Sequence, residues 1–181
     1  MAGGHHAWTK RGLCFLSTAN GARVRGGAHL DASDLHLRLS VSTNIIEAGG
    51  RGITVVDGSV ALRRSIIERM IVSAVDLGAD GSLTATDVLL GDLLPCGPEC
   101  EGLATGSGIV MAPSSRLMAR RFTIFGSTGT GLDPGSAELD LADGVFAGNS
   151  VAVRLPQGLD RASLLRGVRY QGNVVDWEFV H

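Results

Sequence analysis

Apolar and polar positions along this chain alternate with period two over short stretches, and the stretches recur. From Val60 the order is Val60, Leu62, Arg64, Ser65, Ile67. It returns as Leu83, Ala85, Asp87, Val88, Leu90, then as Leu117, Ala119, Arg121, Phe122, Ile124, then as Leu139, Leu141, Asp143, Gly144, Phe146. One template covers all four: apolar, any, apolar, any, charged, small or apolar, any, apolar. A weaker fifth copy begins Ala162, Leu164, Arg166, Gly167, and a degenerate early one reads Leu35, Leu37, Leu39, Ser40. Period-two alternation marks a strand half buried against a core. No segment keeps a long apolar face of period 3.6. The most helix-like run, Val60 to Val75, is rich in β-branched residues that favour strands.

The charged positions of the template are Arg64, Asp87, Arg121, Asp143 and Arg166, spaced 23, 34, 22 and 23 residues apart. The long interval contains PCGPECEGLATG, so it reads as one unit of ~23 residues carrying an inserted loop around residues 95–105. Upstream of the template sits a second recurring piece. It appears as Gly52-Ile53-Thr54-Val55-Val56-Asp57-Gly58-Ser59, and again as Gly108-Ile109-Val110-Met111-Ala112-Pro113-Ser114-Ser115 and Gly131-Leu132-Asp133-Pro134-Gly135-Ser136. Asp-Gly and Pro-Gly pairs make turns. Each unit is therefore two or three short strands joined by tight turns. One unit cannot bury its own apolar face, whereas stacked units can.

A glycine-punctuated coil of strands, with G-I-x-V-x-D-G-S followed by apolar-x-apolar-x-[R/D], resembles the repeats of pectate-lyase-like and surface β-helix proteins. The likeness covers roughly residues 25–173. It implies an all-β, right-handed parallel β-helix, a solenoid of about six rungs. Residues 1–24 are then an N-terminal segment or cap. Residues 174–181 are a C-terminal strand that caps the coil or pairs with another chain. Leucine-rich and hexapeptide repeats are excluded, since neither an L-x-x-L-x-L ladder nor a six-residue beat is present. In such a stack equivalent residues lie ~4.8 Å apart on neighbouring rungs. Arg64, Asp87, Arg121, Asp143 and Arg166 then form a column of alternating sign that specifies register. Asp31, Asp57 and Asp80 form an aspartate column at the turns, with Asp133 one residue out of step. Turn capping is its first reading. Calcium held between rungs by Asp57 and Asp80 is the functional one. Asn44, Asn149 and Asn173 read as turn residues or a partial asparagine ladder.

Composition fits this picture. Glycine accounts for 26 of 181 residues, while aromatics make up only 4%. The first suits many corners, and the second suits a narrow aliphatic interior. The net charge of −2 argues against a nucleic-acid partner held through phosphates. No apolar stretch reaches the ~18–20 residues of a membrane span. No signal peptide is visible near Met1, and His5 and His6 read as a tail. Cys96 and Cys100 bracket a tight loop. A local disulfide, two free thiols and half a metal site all remain open, and a disulfide would imply an oxidising compartment.

Enzymes of the resembling family place catalytic carboxylates beside arginine or lysine on one solvent face. Here Glu138 and Asp140 share a strand face that can meet Arg116 and Arg161 on adjacent rungs, which makes a candidate groove. No catalytic residue is assignable, because no His-Asp cluster or metal-binding His spacing appears. The glycine-rich GSTGTG at 126–131 has no P-loop lysine and opens no helix. The reading is a non-enzymatic surface or scaffold module, extracellular or at the cell surface, presenting a face to a polysaccharide or protein partner. No cofactor is expected beyond calcium. A carbohydrate-active lyase, epimerase or glycosidase is the alternative, and a polymer joined through open β-helix ends is the third.

Overall fold

A strand with one apolar face must lay that face against others, and three or more are needed for stability. The computed structural model describes residues 7–11, 14–17, 20–39, 50–95, 106–135, 137–156 and 165–180. Every regular element among them is a β-strand. The chain crosses first an 11-stranded and then a seven-stranded sheet, and repeats this. The first pass is β1 (Ala7–Arg11), β2 (Cys14–Ser17) and β3 (Asn20–Arg25). The second is β4 (His29–Ser33), β5 (His36–Leu39) and β6 (Arg51–Val56). Next come β7 (Gly58–Glu68) with β8 (Ser73–Leu77), β9 (Gly81–Gly91) with β10 (Ser107–Met111), and β11 (Arg116–Phe125) with β12 (Thr130–Asp133). The last two passes are β13 (Glu138–Ala142), β14 (Val145–Ala147) and β15 (Val151–Pro156), then β16 (Leu165–Arg166), β17 (Arg169–Gln171) and β18 (Val175–Val180).

Strands pair in parallel with their counterparts one pass away, as in β7 with β9, β9 with β11 and β15 with β18. The seven-stranded sheet runs β3-β6-β8-β10-β12-β15-β18. The described residues make seven passes. Strands β1, β2 and β3 pair with strands of the pass that follows. The expected insertion lies, from residue 96 onward, outside the described residues.

The template positions form the interior. Val60, Leu83, Leu117 and Leu139 stand in register, as do Ile67, Leu90, Ile124 and Phe146, and all are buried. From the facing sheet come Ile53, Val75, Ile109, Leu132 and Val153, likewise in register and buried. Each fully buried side chain of this size contributes ~1.5–3 kcal/mol, which is why the stack forms only collectively. An apolar void near Ala85, Ala119 and Phe122 measures only about 10 Å³, at the lower limit of what one water needs. Towards the C-terminal end the aliphatics give way to rings. Phe146 lies 5.6 Å from Phe122 and 5.7 Å from Tyr170, and Tyr170 lies 5.0 Å from Trp177. Burial pushes the Tyr170 hydroxyl well above the usual tyrosine range.

The residue preceding each of the in-register apolars Ile53, Val75, Ile109, Leu132 and Val153 is small: Gly52, Ala74, Gly108, Gly131 and Ala152. The reason is close backbone approach. A Cβ on Gly108 would sit 2.3 Å from the Gly131 carbonyl oxygen, and one on Gly52 2.4 Å from that of Ala74. These positions explain the recurring Gly-Ile of the sequence as a packing requirement.

Candidate functional site

The long strands bend at one residue each, and that residue takes a left-handed backbone. Register aligns Asp34, Arg64, Asp87, Arg121, Asp143 and Gly167 at this bend. Their φ values run from 48° to 69°. Left-handed backbone is uncommon outside glycine, asparagine and aspartate. The charged column of the sequence is therefore a column of corners, and its membership needs correcting at both ends. Arg166 stands opposite Ala142, one position before the corner, and Gly167 takes the place expected for it. The early copy starts at Leu30 and Ala32 with Asp34 at the corner, not at Leu35. Backbone conformation defines the column, so a glycine fills it as well as a charge does.

Arg64 donates to both carboxylate oxygens of Asp34, each at 2.7 Å, and Arg121 does the same to Asp87 at 2.7 and 2.9 Å. Hydrogen bonds from Arg121, helped by the charges of Arg121 and Arg64, hold the Asp87 carboxyl below the usual carboxylate range. Its contribution is full above the unfolded value of ~3.9 and is lost as pH falls through the lower folded value. Asp87→Arg is expected to lower Tm by about 2–4 °C in low salt at pH 7. The deficit should shrink in 1 M salt, which screens the exposed pair, and in strong acid, where Asp87 is neutral in wild type. A melting temperature equal to wild type under all conditions would dismiss the column as a register device.

Residues facing outward on the 11-stranded sheet make a second arrangement. Arg116 stands opposite Glu138, and Met118 opposite Asp140. Arg116 donates to Glu138 at 2.8 Å, and Arg120 donates to Asp140 at 2.5 Å. Those bonds from Arg120 hold the Asp140 carboxyl below its ordinary range. At the corner before these strands, Asp80, Ser82, Ser114, Ser115, Arg116 and Glu138 line a groove of about 470 Å³. The structure thus brings Arg116 and Glu138 together as the spacing suggested, and adds Asp80 and three serines. Asp140 lies on the same face but is tied to Arg120 and does not line the groove. Arg161 lies outside the described residues, as do Cys96, Cys100 and Asn44.

Asp57 and Asp80 both sit in left-handed corners, at φ 48° and 55°, with Gly58 and Gly81 paired immediately after them. The next corner residue is Ser114, which accepts a hydrogen bond from the Asp80 N–H at 3.3 Å. Asp31 falls outside this column, in β4 opposite Ala61, with its carboxylate 3.6 Å from Arg63. Asp133 is bound by Arg154 at 3.0 Å. Among the described residues no group of three His, Cys, Asp or Glu side chains is arranged to hold a metal ion.

Asn149, which is buried, and Asn173, which is partly buried, form a ladder at a second corner. Asn149 accepts from the Ser127 N–H at 3.0 Å and donates through Nδ2 to the Ile124 carbonyl at 3.1 Å and to Asn173 Oδ1 at 3.0 Å. Asn173 donates in turn to the Phe146 carbonyl and to Asp176. Sequence reasoning missed the node at Arg154, which joins Asp133 to Glu178 at 3.0 and 2.7 Å. Spacings of 21 and 24 residues, one pass each, were the available signal.

No family model matches the chain, and neither does any curated protein or solved structure. The molecule is classed by its own geometry, as an all-β protein of two parallel sheets that share one interior.

Proposed function

We propose that this chain is a right-handed β-helical scaffold that binds glycans on its outward face without turning them over. Three features support the helical reading: each strand pairs with its equivalent one pass away, successive strands change sheet, and parallel crossovers are right-handed in ~98% of cases. The observation that carries the function is the groove at Asp80, Ser82, Ser114, Arg116 and Glu138. Hydroxyls, two carboxylates and a guanidinium face one open channel, a donor and acceptor set suited to a hydroxyl-rich ligand. The same reading places the module outside the cell, where such polymers are met.

A glycan array probed with the intact chain tests this. Binding to a hydroxyl-rich or uronate polymer is expected, weakened about tenfold or more by Arg116→Ala with Tm little changed. Release of unsaturated or reducing product from the bound polymer would convert the reading to an enzyme. Binding that ignores Arg116→Ala would remove the groove from it.

A further inference from the structure

We propose, resting on the glycan reading above, that the groove discriminates its ligands by charge and takes chains of amino sugars in preference to uronate chains. Three observations set the sign of that preference. First, the cation of the groove is already answered. Arg116 Nε and Nη2 both lie 2.8 Å from the same carboxylate oxygen of Glu138. A uronate carboxylate reaches that guanidinium only by displacing Glu138 or by sitting beside it, where like charges repel. What Arg116 keeps for a ligand is its remaining N–H donors, which suit sugar hydroxyls.

Second, the other acid of the groove is not answered. Asp80 is exposed, and its carboxylate forms no ion pair or hydrogen bond among the described residues. Its backbone is held in place, because the Asp80 N–H donates to Ser114 Oγ at 3.3 Å. With Arg116 and Glu138 cancelling each other, the groove keeps the negative charge of Asp80.

Third, Asp57 occupies the same corner one pass away, ~4.8 Å along the stack, and is likewise exposed and unpaired among the described residues. The two carboxylates therefore reinforce one another in attracting a cation. A calcium ion takes about 6–8 oxygen ligands, and no group of three His, Cys, Asp or Glu side chains is arranged for a metal among the described residues. A protonated amine asks for less. Its three N–H donors are met by Asp80 with the hydroxyls of Ser82 and Ser114, which line the same groove.

Calorimetric titration of the intact chain with three oligomers of equal length tests the proposal: glucosamine, N-acetylglucosamine and galacturonate. At about pH 6 amines are protonated and carboxylates ionised. The glucosamine oligomer is expected to bind about two- to fivefold more tightly than its acetylated counterpart, and the galacturonate oligomer more weakly than either. The ranking should collapse in 1 M salt. Asp80→Asn removes the charge but keeps a residue that tolerates the left-handed corner, so the fold is retained. That variant should bring the glucosamine oligomer down to the affinity of the acetylated one, whose own binding changes little. Galacturonate bound as tightly as glucosamine, or a glucosamine preference indifferent to Asp80→Asn, would overturn the discrimination by charge and leave glycan binding standing. Binding of none of the three would overturn both.

Discussion

Gly108→Val is expected to prevent stable folding. Residue 108 precedes the inward-facing Ile109, and a Cβ there would lie 2.3 Å from the Gly131 oxygen and 2.6 Å from Ile124 Cγ2. The oxygen belongs to the next pass and cannot retreat, because Ile109 and Val110 are paired with Leu132 and Asp133. Valine adds two further methyls to the same collision. The cost should exceed ~4 kcal/mol, the range of the most disruptive core changes, against a total stability of about 5–15 kcal/mol. The expected result is loss of soluble protein, or a fall in Tm of more than about 10 °C by circular dichroism. Gly172→Ala is the control. Its φ is 64° with nothing within 4 Å, so only the left-handed backbone is penalised, by about 1–2 kcal/mol. If the two variants melt together, the close approach of passes at Gly108 is not what the glycine serves.

The second large effect is expected at Asn149, which is 1% exposed. Asn149→Ala removes the acceptor of the buried Ser127 N–H and a donor to the Ile124 carbonyl. Each buried group left without a partner costs about 1–3 kcal/mol. The expected loss is roughly 3–5 kcal/mol, read as a lower urea midpoint with the m-value unchanged. Asn173→Ala should cost less, since Asn173 is only partly buried. A loss below about 1 kcal/mol at Asn149 would mean that water takes over the ladder's bonds.

Much of the fold was legible in the residues. Period-two alternation at Val60, Leu83, Leu117 and Leu139 identified the inward positions, and the return of the template after 22 or 23 residues identified what stacks on what. The errors were at Arg166 and Leu35, and they share a cause. The template demanded a charge where the backbone demands only a left-handed corner, so Gly167 was passed over for its charged neighbour. The groove was half visible. Arg116 and Glu138 are one pass apart in sequence, whereas Asp80 and Ser114 join them only because the corners preceding β9 and β11 lie against each other. Arg154 was missed because each of its partners sits on a different pass.

Alternation, turn residues and the repeat length by themselves determined that the chain is all-β, which residues face inward, and that glycine recurs at fixed points. These are local properties, set by strand pleat and by the torsions each residue tolerates. Tertiary structure alone decided that Asp34 and Gly167 complete the corner column, that Gly108 meets a carbonyl, and that Arg154 joins Asp133 to Glu178. Each of these depends on the offset between passes. That offset is settled by the summed packing of the whole interior, not by any segment within it.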